Sequence, residues 1–153
     1  MNYLKLKIPP VVVFLICIGL MWAIQQLIPN QSLLFEYKMI IVFSLMALGG
    51  LIGILGVIEF ARKSTTVNPH KPKNTNAFVR SGIYQFSRNP MYLGLLIALS
   101  GLVFFWGNPF TIVMIPAFVW YMNTFQIQPE EEVMEQKFGE KFIRYKKEVR
   151  RWI

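Results

Sequence analysis

The sequence predicts an all-α integral membrane protein, with four transmembrane helices and a C-terminal amphipathic cytoplasmic helix in one domain, residues 1–153. Three observations predict it. Of the 153 residues 54% are hydrophobic, and mean hydropathy is +0.42, more apolar than a soluble domain of this size. Four apolar runs lie at about residues 8–28, 39–60, 91–106 and 110–126. The 16 Lys and Arg residues, against 8 acidic residues that are all Glu, gather in a few connections.

The first run follows Lys5 and Lys7, as a secretory leader would. It is longer than a leader's apolar region and no small-residue cleavage site follows, so it reads as a retained span. Pro9 and Pro10 suit its start, where the first-turn N–H groups have no helical partner. The second run carries LGGLIGILG, with Gly49, Gly50, Gly53 and Gly56. Small residues three or four apart let helices approach closely in lipid, and packing within the bundle is favoured over a dimer seam. At 1.5 Å per residue these two runs reach roughly 30 Å, the thickness of a bilayer core. The third and fourth runs are shorter and meet at Gly107, Asn108 and Pro109, a tight helical hairpin.

The last segment changes character. Met134, Phe138, Phe142, Tyr145, Val149 and Trp152 recur at steps of three and four among Glu, Lys and Arg. That spacing predicts an amphipathic helix over 130–151, broken near Gly139, resting on the membrane surface or on the other helices. Cys17 is the lone cysteine, which rules out an intrachain disulfide and a cysteine-based metal site.

Charge placement sets the orientation. Two lysines precede the first span, six basic residues without an acid fill 61–90, and seven follow the fourth span. The other connections hold only Lys38, beside Glu36. Both termini and the long loop are therefore expected on the cytoplasmic side of a bacterial plasma membrane. Topology accounts for the net charge of +8, and nucleic-acid binding is not expected.

Two places have the makings of a site. In SRNPMYLG, residues 87–94, Asn89 suits an N-cap and Pro90 a first helical position. Simple capping explains the pair equally well. A helix starting there nevertheless points free N–H groups and its positive dipole end at the cytoplasmic loop, where a carboxylate or phosphate would sit. Tyr84 and Tyr92 flank it with aromatic faces. In QPEEEVMEQKFG, residues 128–139, Glu131 falls on the apolar stripe, Glu130 at its edge, and Glu132 points away. Carboxylates turned toward a protein face need a cation; Arg80, Arg88 or a ligand ammonium all qualify. His70, the single histidine, lies in the polar loop and builds no metal site alone.

The ordered set SGIYQFSRNPMYLG (81–94), Glu130 and Glu131, then FGEKFIRYKKEVRRWI (138–153) resembles the isoprenylcysteine carboxyl methyltransferase and phospholipid methyltransferase group. The resemblance covers roughly residues 64–153 and implies an integral membrane enzyme that uses S-adenosylmethionine. By position it implies cofactor contacts from Asn76, Ala77, Phe78, Val79, Tyr84, Arg88, Asn89, Pro90, Met91, Tyr92 and Glu130. Eukaryotic isoprenylcysteine enzymes have His where Asn89 stands and Arg where Gln126 stands. Gln126 is thus a substrate-binding candidate whose missing charge argues against prenylcysteine esterification.

The expected reaction is methyl transfer to a lipophilic acceptor at the cytoplasmic membrane face, the acceptor arriving from the lipid. Its class is an isoprenylcysteine-type carboxylate, a phospholipid amine or another small apolar nucleophile. Glu131, Tyr92 and His70 are the candidate bases for an acceptor that must lose a proton. A non-catalytic scaffold or transporter subunit, or a sterol-reductase-like oxidoreductase, are the alternatives. No metal is expected, and oligomeric state is not legible.

Overall fold

The computed structural model describes residues 5–28, 37–62 and 79–153. Every regular element among them is helical: α1 (Pro10–Leu27), α2 (Lys38–Arg62), α3 (Pro90–Trp106), α4 (Met114–Tyr121), α5 (Gln128–Phe138) and α6 (Glu140–Glu148), with short 3-10 turns at Gly82–Gln85 and Pro109–Val113. Three stretches are long and apolar enough to cross a membrane: Pro10–Leu27, Lys38–Arg62 and the continuous helical run Pro109–Phe138. At 17 residues α3 is shorter, about 25 Å of helix.

The tightest seam joins α2 and α3. A Cβ at Gly49 would lie 2.5 Å from the Gly94 carbonyl oxygen, and one at Gly94 2.5 Å from that of Gly49. The two backbones touch because neither residue has a side chain. Gly56 meets Met91 in the same seam, so Gly49 and Gly56 of the α2 run serve packing inside the bundle, whereas a Cβ at Gly50 or Gly53 would meet open space. On the other side of α3, α1 and α4 close a core of Val13, Cys17, Met21, Tyr92, Leu99, Phe118, Met122 and Ile127.

The hairpin after α3 forms as expected. Gly107 is left-handed at φ 64°, and the Asn108 side chain accepts the Phe110 N–H at 3.0 Å while donating to the Ile28 carbonyl at 2.8 Å. Beyond it the chain departs from the expected pattern. The helix does not stop at residue 126 but widens into a π turn over Met122–Ile127 and runs straight into α5.

Pro129 accounts for the widening. It has no N–H to return to the Phe125 carbonyl, and its ring crowds that oxygen. The Phe125 carbonyl instead accepts the Leu6 N–H at 3.0 Å, and the neighbouring Gln126 amide donates to the Ile8 carbonyl at 2.5 Å. The first residues of the described chain are thereby fastened to the π turn. Past Ile127 the sequence turns charged, with Glu130, Glu131, Glu132, Glu135 and Lys137 in one short helix. That density takes α5 out of the hydrocarbon.

The helix expected over 130–151, with a break near Gly139, is two helices, α5 and α6. Gly139, at φ 54°, breaks it, α6 follows, and from Val149 the backbone is extended. On α6, Phe142 and Tyr145 are buried while Lys141, Ile143, Arg144 and Lys147 are exposed.

Candidate functional site

The approach to α3 is built by a turn only glycine fits. Gly82 has φ 57°, and a Cβ there would lie 2.6 Å from the Glu59 carboxylate, which takes a 2.8 Å hydrogen bond from the Ser81 hydroxyl. The 3-10 turn that follows carries Tyr84 inward to 4% exposure, its ring edge-on to Phe60 with centroids 5.4 Å apart. The Tyr84 carbonyl accepts from the Tyr145 hydroxyl at 2.5 Å. The Tyr84 hydroxyl itself is buried with no partner, a costly arrangement unless another group completes it. Burial, with Tyr145, Glu130 and Glu59 nearby, holds that phenol protonated far above its ordinary range.

Asn89 occupies the N-cap position of α3 but makes no capping bond; its side-chain amide donates to the Arg151 carbonyl at 3.0 Å. Pro90 has no N–H, and the first helical bond is Leu93 N–H to Asn89 carbonyl at 2.9 Å. The N–H groups of Met91 and Tyr92 are left without helical acceptors. One turn in, the buried Tyr92 donates its hydroxyl to Glu130 at 2.6 Å. Burial pushes the Glu130 carboxyl up to about 8; the Tyr92 hydrogen bond opposes that shift and the Glu131 charge adds to it.

Glu131, next in sequence, has the opposite surroundings. Its carboxylate takes the Arg88 guanidinium at 2.9 Å and a two-pronged contact from Arg151 at 3.1 and 2.8 Å, with Lys146 3.9 Å away. Both Arg88 and Glu131 side chains are 9% exposed. Of the two cations the sequence offered, Arg88 is the one that pairs here, and Arg80 goes to Glu148 at 3.4 Å. Lys146 also pairs with Glu135. Two neighbouring carboxylates thus differ sharply. Glu131 is neutralised by guanidinium groups, and among the described residues Glu130 has only the Tyr92 phenol.

The extended end of the chain completes the arrangement. The Arg150 carbonyl accepts the Arg88 N–H at 3.0 Å, and the Arg151 carbonyl accepts from Ser87 Oγ at 3.3 Å as well as from Asn89. The Trp152 indole donates to Asn123 Oδ1 at 3.2 Å.

An apolar cleft of about 610 Å³ runs beside α3, lined from α1, α2 and α3 by residues that include Phe14, Met46, Gly50, Ile54, Tyr92 and Ala98. Tyr92 belongs to both places: its ring lines the cleft and its hydroxyl meets Glu130.

The structure therefore gathers Tyr84, Arg88, Asn89, Pro90, Met91, Tyr92, Glu130 and Glu131 around the junction of the α3 start with α5. Val79, also buried, leads into it. Gln126 is wholly buried, its amide nitrogen on Ile8 and its oxygen without a partner. Asn76, Ala77, Phe78 and His70 lie outside the described residues. Among the described residues no three metal-ligating side chains cluster. Sequence reasoning missed Ser87, Tyr145, Lys146, Arg151 and Trp152. Two of these, Lys146 and Arg151, accept through backbone carbonyls, which leave no side-chain motif; only the apolar stripe through Tyr145 and Trp152 signalled that this segment packs inward.

Residues 37–141 match the phospholipid methyltransferase family. The chain is 26% identical over 106 residues to protein-S-isoprenylcysteine O-methyltransferase B of Arabidopsis thaliana, covering 69% of this chain and 54% of that protein. It is 29% identical over 79 residues to the protein-S-isoprenylcysteine O-methyltransferase of Saccharomyces cerevisiae, covering 52% of this chain and 33% of that protein. The chain thus spans about half or less of these two relatives. An uncharacterized protein of Haemophilus influenzae is 41% identical over 63 residues, 41% of this chain and the whole of that protein. No solved structure matches the chain significantly.

Proposed function

The chain belongs to the phospholipid methyltransferase family, and on that premise we propose that it transfers a methyl group from S-adenosylmethionine to a lipophilic acceptor at the cytoplasmic face of the membrane, with α3 as a fourth span. The observation that carries the reading is the Tyr92–Glu130 contact. It puts a carboxylate with no cationic partner among the described residues beside an uncapped helix start and at the end of an apolar cleft.

The residues present fit such a donor. Glu130 answers an ammonium, the free N–H groups of Met91 and Tyr92 answer a carboxylate, and the orphan hydroxyl of Tyr84 answers a polar edge of the nucleoside. Asn89, Pro90 and Val79 supply the surrounding surface, and Arg88 holds its wall in place through Glu131. Asn76, Ala77 and Phe78 join this set by the family resemblance alone. The donor brings a methyl group already activated on a sulfonium. What the chain adds is placement and exclusion of water, and orientation alone is worth up to roughly 7–11 kcal/mol in favourable cases.

The cleft is the seat proposed for the acceptor's apolar chain, with the reacting end at Tyr92. A carboxylate acceptor needs no base. For an amine acceptor Glu131 is poorly placed, because its carboxylate is already occupied by Arg88 and Arg151; Tyr92 and His70 are left for that role. Gln126, tied to Ile8, is assigned to holding the N-terminal segment rather than to substrate.

The test uses purified protein in detergent and labelled S-adenosylmethionine. Wild type should bind it and pass label into a component of a total lipid or small-thiol extract. Glu130→Ala should lose binding. Unchanged binding in both Glu130→Ala and Asn89→Ala overturns the site.

A further inference from the structure

Arg151 touches both halves of the site, as Arg88 does through its own salt bridge to Glu131. Its carbonyl oxygen accepts from Asn89 and Ser87 at the start of α3, and its guanidinium grips Glu131 on α5 through two bonds of 3.1 and 2.8 Å. The neighbouring Trp152 indole anchors the same short segment to Asn123 in the π turn. Glu130 lies on the same turn of helix as Glu131, so the two-pronged Arg151 grip, added to the Arg88 contact, restricts the rotation of α5. That rotation presents Glu130 to Tyr92.

We propose that Arg151 is a positioning residue for methyl-donor binding, setting the separation between the α3 start and Glu130 without touching the donor. The inference rests on the donor site described under the proposed function. Arg88 and Lys146 still reach Glu131 when the Arg151 guanidinium is removed, so Arg151→Ala leaves no unpaired buried charge.

A double-variant cycle on the full chain tests it, with labelled S-adenosylmethionine binding read by equilibrium dialysis. Arg151→Ala should raise the donor Kd by about tenfold, and Arg151→Lys should recover part of that loss. In a Glu130→Gln background, Arg151→Ala should add nothing further, because the group it positions is gone. Losses that simply add in the double variant, or unchanged binding in Arg151→Ala, overturn the positioning role. A Glu130→Gln variant that binds like wild type takes down the donor-site reading instead. If Arg151→Ala does not fold, Arg151→Lys carries the same cycle with a smaller expected loss.

Discussion

Binding of an ammonium ligand at Glu130 should expel a proton, and the expected amount follows from the site. With its carboxyl pushed up to about 8, Glu130 is about nine-tenths protonated at pH 7. An ammonium placed against it favours the ionised form, so the bound state holds the proton far less tightly. Binding at pH 7 should therefore release about 0.9 proton, and the donor affinity should climb about ninefold between pH 6 and pH 7. The sign is fixed: the carboxyl starts protonated, ligand binding lowers its pKa, and raising the pH removes the cost of expelling the proton. Above pH 7 the ligand's own amino group, with an ordinary pKa of roughly 7.7–8.0, begins to deprotonate and flattens the rise. Calorimetry of S-adenosylmethionine binding in two buffers of different ionisation enthalpy measures the proton directly. Glu130→Gln should release none and show a flat profile over the same interval. Release of a proton by Glu130→Gln equal to wild type, or none by either protein, refutes the assignment.

Tyr92→Phe keeps the ring in the cleft wall but removes the hydrogen bond that lowers the Glu130 pKa, so the proton-release profile should shift to higher pH in the same calorimetry. Gly94→Ala forces a methyl to within 2.5 Å of the Gly49 carbonyl and should cost about 1–3 kcal/mol by thermal or denaturant unfolding in detergent. Gly50→Ala, with open space at its Cβ, should change stability by no more than about 0.5 kcal/mol. Gly50→Phe puts a ring into the cleft and should raise the KM for a long-chain acceptor while leaving the donor Kd unchanged; an equal change in both removes the cleft from acceptor binding.

Much of this arrangement was legible because lipid imposes length and apolarity on a spanning helix, and α1 and α2 begin and end within two residues of the runs read from sequence. The glycines of α2 announced a close approach, but nothing in their spacing named Gly94 as the opposite face. The π turn was not legible. It arises from Pro129 meeting a carbonyl that another strand of chain then satisfies, a negotiation between residues 6 and 125. In the same way, Asn89 carried the composition of a cap, yet its side chain goes to the Arg151 carbonyl, and Glu131 takes the Arg151 guanidinium in addition to the Arg88 that the sequence offered. A backbone carbonyl accepting from a side chain 62 positions away has no sequence period to betray it.

The bond between Gln126 and Ile8 spans 118 positions, and that separation bears on how the protein is made. Translation delivers roughly 5–20 residues each second, so the first hydrophobic helix waits several seconds in the bilayer before its mate at the far end exists. The clasp at residues 150–152 arrives later still. A ribosome stalled between α3 and residue 150 would leave the glycine seam formed but the Arg151 contacts to Asn89 and Glu131 unmade, so the junction of α3 with α5 is completed after the seam.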